Sequence, residues 1–177
     1  MKNELFSSER LVFRAWENDD IEKANQLWGD IEVTQYIGGP FSIDKISSRL
    51  KQEIDNQEKY GIQYWPIYFK SNNEFVGCCG LRPYKDQHDT CEIGFHLCKK
   101  YWGLGLASEA VRKVLKYAFI DLGYKRIFAG HNPKNEKSMN TLLKLGFKYI
   151  GDEFYQPTGL NHPSYEMKIS EYIRIGQ

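Results

Sequence analysis

The chain lacks a long hydrophobic run, so nothing in it is read as a bilayer-spanning helix. Charges interrupt Met1 to Trp16 throughout, unlike a signal peptide, and a cytoplasmic protein is expected. It also lacks an excess of charge. With 24 Lys and Arg against 23 Asp and Glu, the formal net charge is +1, which argues against a protein that wraps nucleic acid. No Cys-x-x-Cys pair occurs. Cys78, Cys79, Cys91 and Cys98 fall in strand-like runs and read as reduced, mostly buried thiols rather than metal ligands, so no metal is expected. Repeats and low-complexity tracts are missing as well. What is present is ordinary globular material: 177 residues, 41% hydrophobic and 27% charged, enough for the core of one domain spanning 1–177.

Periodicity orders the chain. Ser8 to Trp16 alternates as a strand, Ile21 to Gly29 reads as a helix, and Ser42 caps a second helix running to Tyr60-Gly61. Tyr64–Phe69, with Pro66 marking an edge or bulge, pairs with 75–81 as a hairpin, and Cys91–Leu97 is a third strand. Leu106–Leu122 shows one apolar face through Val111, Val114, Leu115, Ala118 and Leu122, with Glu109 four residues before Lys113 as a surface pair. A strand over 126–131, a short helix from Asn135 to Leu145, and strands over 147–150 and 165–169 follow. Gln156 to Pro163 is turn-rich. The order β-α-α-β-β-β-α-β-α-β-β predicts an α+β protein of mixed α/β layers.

The stretch after the third strand carries the chemistry. Gly103 and Gly105 allow a tight turn and close approach to a ligand. The first N–H groups of the following helix, at Leu106, Ala107 and Ser108, lack intrahelical partners and carry the positive end of the dipole. Together these form a seat for a phosphate or pyrophosphate, or else an ordinary strand-to-helix turn. On the strand before it, alternation places Glu92, Gly94 and His96 on one face and Ile93, Phe95 and Leu97 on the other.

Four motifs in order resemble the GNAT superfamily of N-acetyltransferases over nearly the whole chain. They are Ser8 to Arg14; Glu92-Ile93-Gly94-Phe95; Trp102-Gly103-Leu104-Gly105-Leu106-Ala107-Ser108-Glu109-Ala110; and Asn135 to Ser138 followed by Lys144-Leu145-Gly146-Phe147. The nearest subgroup resembles the RimJ/RimL type. The resemblance implies a twisted, mixed, mostly antiparallel sheet flanked by helices, acetyl-CoA as cosubstrate, and a primary amine as acceptor, either a protein N-terminus or a small amine. With the balanced charge and the short apolar runs, no nucleic acid or membrane partner is expected, and the protein is expected to be a monomer or homodimer. Backbone groups from Trp102 through Gly103, Leu104, Gly105, Leu106 and Ala107 to Ser108 would hold the pyrophosphate. Leu97, Cys98 and Lys99 would pair with the pantetheine arm like an added strand. Trp102 stands where the superfamily motif has Arg or Gln.

Acyl transfer from a thioester requires a neutral amine, a stabilised oxyanion and a protonated leaving thiolate. Glu92 resembles, by position, the catalytic glutamate of histone-type members and is the candidate base, with a structural strand glutamate as the plain alternative; His96 on the same face is either a substitute base or a packed histidine. Leu142 occupies the place of the tyrosine that many members use as acid. Ser138, one turn earlier, resembles the serine near the thioester sulfur, and Asn135 the residue that bonds pantetheine; both also suit helix capping. The Ile31 to Gly61 stretch and the Gln156 to Pro163 loop would frame the acceptor cleft. Two other functions stay open. One is a dinucleotide-dependent oxidoreductase, although Ser108 replaces the third glycine of its motif. The other is a catalytically silent acyl-CoA-binding module.

Overall fold

The computed structural model describes residues 4–85 and 87–176. Strands β1 (Phe6–Ser7), β2 (Leu11–Phe13), β3 (Tyr64–Phe69), β4 (Phe75–Pro83), β5 (Thr90–Leu97), β6 (Arg126–Gly130), β7 (Lys148–Tyr155) and β8 (Leu160–Lys168) form one sheet in the order β1-β2-β3-β4-β5-β6-β8-β7. The helices are α1 (Ile21–Trp28), α2 (Ile31–Thr34), α3 (Ile43–Tyr60), α4 (Leu106–Lys116), α5 (Glu136–Lys144) and α6 (Ile169–Ile175). The expected mixed, mostly antiparallel sheet is present, and β5–β6 is its parallel pair.

That pair shapes the site. It is in register only over Thr90–Glu92 against Arg126–Phe128. Beyond Glu92, β5 continues to Leu97 along β4 alone, while β6 continues to Gly130 along β8. The sheet therefore splits in its middle, and a cleft of about 930 Å³ opens there. Helix α4 packs against β4 and β5. On the other side, α1 reaches β5 through Trp28 to His96, and α3 reaches β3 through Glu53 to Tyr64.

Several sequence expectations change for identifiable reasons. Of the strand expected over Ser8–Trp16, only Leu11–Phe13 forms, as β2, and a turn separates it from β1. Glu109 of α4 takes hydrogen bonds from Ser8 Oγ (2.6 Å), Arg10 N (2.7 Å) and Arg10 Nε (2.6 Å), and these hold the turn between β1 and β2. The expected Glu109–Lys113 surface pair is thus replaced by a long-range clamp. Burial of the Glu109 carboxyl opposes its ionisation, but the bonds from Ser8 and Arg10 outweigh it and hold it below its ordinary range. The helix from Leu106 widens into a π-helical turn over Tyr117–Asp121. The wider turn shifts the phase of the apolar stripe, and Leu122 ends 39% exposed instead of buried.

Pro66 lies in a strand paired on both sides rather than at an edge, beside a bulge at Ile67/Tyr68. Its carbonyl accepts from Arg14 N (3.1 Å), so its nitrogen faces the same neighbour, just past the last pair of β2. Pro163 repeats the device in β8, where its carbonyl takes His131 N (3.3 Å) beyond the end of β6. The final hairpin is therefore longer than its turn-rich composition implied. Only 156–159 form the turn, and Leu160–Pro163 belong to β8. Helices α2 and α6 and strand β1 are additions. All four cysteines are free and buried, as expected.

Candidate acetyl-transfer site

The phosphate turn has the geometry its glycines suggest. Gly103 (φ +79°) and Gly105 (φ +75°) are left-handed, which an L side chain occupies only under strain. Gly105 is the N-cap of α4 and supplies no side chain to its amides. The first donor turned back into the helix is Glu109 N, to Gly105 O at 3.1 Å. The N–H groups of Leu106, Ala107 and Ser108 precede it, and all three residues line the cleft. Leu104 faces away: its carbonyl takes Arg10 Nη1 and Nη2 at 3.2 and 3.3 Å, and its side chain is exposed. An uncapped helix start behind two left-handed glycines, open to a cleft, fits a pyrophosphate.

Strand alternation explains the next stretch. Cys98 N donates to Val76 O (2.9 Å), so the backbone groups of Leu97 and Phe95 point away from β4, toward the side that β6 has left. The Leu97 carbonyl is already taken by Trp102 Nε1 (2.8 Å), which leaves Leu97 N–H for a ligand. Trp102 thus fixes the end of β5 to the glycine turn, and Lys137 Nζ stands 4.8 Å from its ring centre. The Cys98 side chain is buried, its thiol pushed up to about 11 chiefly by desolvation. Lys99 pairs with Glu32. Both offer the cleft no more than backbone.

Glu92 and His96 share a face, as alternation required, and what joins them is Tyr64 of β3. Its hydroxyl donates to Glu92 Oε1 (3.1 Å), and its ring meets the His96 ring edge-on at 5.9 Å. Between them the ring lies where a Cβ on Gly94 would be, 2.2 Å from the Tyr64 oxygen. Gly94 is therefore a packing requirement of Tyr64. Desolvation raises the Glu92 pKa, opposed by Arg82, the Tyr64 hydrogen bond and Arg49. The result is a carboxylate that holds a proton more readily than an exposed glutamate. His96 differs. Trp28 Nε1 donates to its Nδ1 (3.2 Å), which places the ring hydrogen on Nε2. Burial, then Arg49 and Arg82, pushes its pKa well down. A neutral imidazole held this way has a donor, not a base, at Nε2.

On α5, Asn135 is the N-cap. Its Oδ1 takes Ser138 N (3.1 Å), which commits the oxygen and leaves the amide hydrogens. Asn135, Ser138 and Leu142 line the cleft, so the place of the tyrosine acid is held by a buried leucine. The Ile31 to Gly61 stretch contributes Glu32, Val33, Gln35, Tyr36, Ile37 and Arg49 to the wall. Of the last hairpin, Phe154, Tyr155 and His162 face the cleft instead of the turn between them. Sequence reasoning overlooked Tyr64, Arg82 and Arg49. The signal for the first was two glycines, Gly80 and Gly94, at one level of adjacent strands.

A family model described as an acetyltransferase (GNAT) domain matches residues 10–148. The chain belongs to the GNAT acetyltransferase family. An uncharacterized N-acetyltransferase, p20, of Bacillus licheniformis is 34% identical over 150 residues, 84% of each chain. Among solved structures, a GNAT-family acetyltransferase from Bacillus anthracis superposes with a TM-score of 0.80 at 26% identity, covering 93% of this chain and 98% of that one. RimL, a ribosomal L7/L12 alpha-N-protein acetyltransferase, superposes at 0.78 with 17% identity, covering 95% of each chain, a likeness of fold.

Proposed function

We propose that the protein is a cytoplasmic, acetyl-CoA-dependent N-acetyltransferase, nearest the RimJ/RimL type, that acts on a primary amine in a ternary complex. The observation that carries this is one cleft with the uncapped start of α4 at one side and the desolvated Glu92 at the other. In this reading the amides of Leu106, Ala107 and Ser108 hold the diphosphate, with Ser108 Oγ beside them. Leu97 N–H and the free amide of Asn135 hold the pantetheine arm. Glu92 takes a proton from the amine, directly or through water, as nitrogen bonds the thioester carbon and the carbon–sulfur bond breaks. Ser138 delivers a proton to the departing thiolate. A base of this kind is worth about 10² to 10⁴ in rate.

Calorimetric titration with acetyl-CoA and with NAD, followed by thiol release with an amine panel, tests the reading. Acetyl-CoA binding and amine-dependent thiol release are expected. NAD binding in its place would make the protein a dinucleotide enzyme, and acetyl-CoA binding without release for any amine would make it a silent module.

A further inference from the structure

Beneath Glu92 lies a charged cluster for which acetyl transfer as described has no use. Glu53 of α3 is wholly buried. Its Oε1 receives Arg49 Nε at 3.1 Å and also an ion pair from Arg82, while its Oε2 receives Tyr64 N at 2.8 Å. One buried carboxylate therefore serves two guanidinium groups, and Glu92, which faces both, is the second carboxylate of the cluster. Each guanidinium carries five N–H donors, far more than Glu53 can accept. Arg82 Nε is buried with no partner.

Both arginines line the cleft, and both lie close to Glu92. Arg82 is the register partner of Glu92, and its guanidinium sits 4.3 Å from the centre of the Tyr64 ring. The Arg49 guanidinium is 5.6 Å from the same ring, whose hydroxyl holds Glu92. Of the other acidic side chains on the cleft wall, Glu32 pairs with Lys99, and Glu153 takes Lys85 Nζ (3.0 Å) and the Tyr84 hydroxyl (2.8 Å).

We propose that the acceptor is a small amine that also carries a carboxylate, an α-amino acid or a close derivative, and that Arg49 and Arg82 bind that carboxylate while Glu92 receives the amine proton. This rests on the transferase reading above and narrows its acceptor. Planar guanidinium forks suit a carboxylate, and both guanidinium groups keep N–H donors that Glu53 cannot take, the buried Arg82 Nε among them. A polyamine fits less well, because its second ammonium would meet N–H donors where an acceptor is needed. A protein N-terminus brings no α-carboxylate, because that group is consumed in the first peptide bond.

The test is an acceptor panel of α-amino acids, each paired with its α-amide, beside diamines and peptides, with thiol release from acetyl-CoA as readout. Amino acids are expected to exceed their amides by about 10- to 100-fold in kcat/KM, the range for one charge-assisted hydrogen-bonding group. Arg49→Gln should raise KM for the amino acid by a similar factor, leave KM for acetyl-CoA unchanged and erase the preference over the amide. Arg49→Lys should restore part of it. A purely structural cluster would lower stability without touching that preference. Calorimetry on the CoA-loaded protein, with N-acetyl amino acids against their amides, reads the carboxylate site without turnover. Carboxylate binding lost in Arg49→Gln, with no turnover of any amine, would keep the site and sink the transferase reading. Amides, diamines or peptides used as well as amino acids, or no discrimination in either assay, would overturn the proposal.

Discussion

The two sides of the cleft are built from different materials. On the α4 side, the proposed ligand would meet main chain: amides after Gly105, the N–H of Leu97, and glycines whose left-handed backbone makes the turn. On the α3 side it would meet side chains, namely Tyr64, Arg82, Glu92, His96 and Arg49, drawn from β3, β4, β5 and α3, four of them tied through Glu53 and Tyr64. A diphosphate is the same in every turnover, and backbone amides recognise it with little help from side chains. An acceptor differs between enzymes, and recognising it takes side chains that can vary while the sheet stays fixed. The same fold thus separates what is shared from what is particular.

The sharpest way to break this comparison is Glu92→Gln. Loss of about 10² to 10⁴ in kcat is expected with acetyl-CoA affinity unchanged, because the substitution removes a base and leaves the main-chain side intact. Measured across pH, the wild type should lose activity as pH falls through the raised Glu92 pKa, above the ordinary carboxylate range. In Glu92→Gln that limb should vanish. Unchanged turnover at every pH would remove Glu92 from the chemistry. The stability sign is opposite. A carboxyl whose folded pKa is raised stabilises the fold at low pH, and that contribution fades as pH rises through the folded value. Glu92→Gln should therefore melt no lower than wild type at neutral pH.

Gly105→Val probes the other side. A β-branched residue at φ +75° forces the turn to shift, so acetyl-CoA should bind about 10-fold or more weakly by calorimetry. The loss should fall on acetyl-CoA affinity while discrimination among acceptors is retained. Ser138→Ala is expected to slow turnover about tenfold at unchanged acetyl-CoA affinity, in line with a proton donor that solvent partly replaces. Full activity would end its assignment.

Smaller effects test how the two sides are held together. Glu109→Ala removes a carboxylate that grips Ser8 and Arg10 from the first turn of α4, and should cost about 1–3 kcal/mol in denaturant unfolding. Lys113→Gln should change stability by less than about 0.5 kcal/mol, since Lys113 is not the partner of Glu109. Equal losses for the two would restore the surface pair and discard the clamp.

Local signals in the sequence were enough for the elements with strong internal periodicity. Ser42 and Gly61 bound α3 as capping rules require, with Ser42 Oγ taking Lys45 N at 3.2 Å and Gly61 at φ +70°. Gly103 and Gly105 marked the turn because their conformation is a property of those positions alone. Alternation put Glu92 and His96 on one face because side-chain direction in a strand has a period of two. Tertiary structure decided the rest. Glu109 holds the turn between β1 and β2 from 99 residues away, measured to Arg10. Pro66 entered an inner strand because β2 ends where its nitrogen points. The His96 tautomer was set by Trp28, and the Glu92 environment by Tyr64, Arg82 and Arg49. None of these has a local pattern, because each depends on which strands and helices become neighbours. The chain by itself wrote the backbone seat; only its folding chose the side chains that face it.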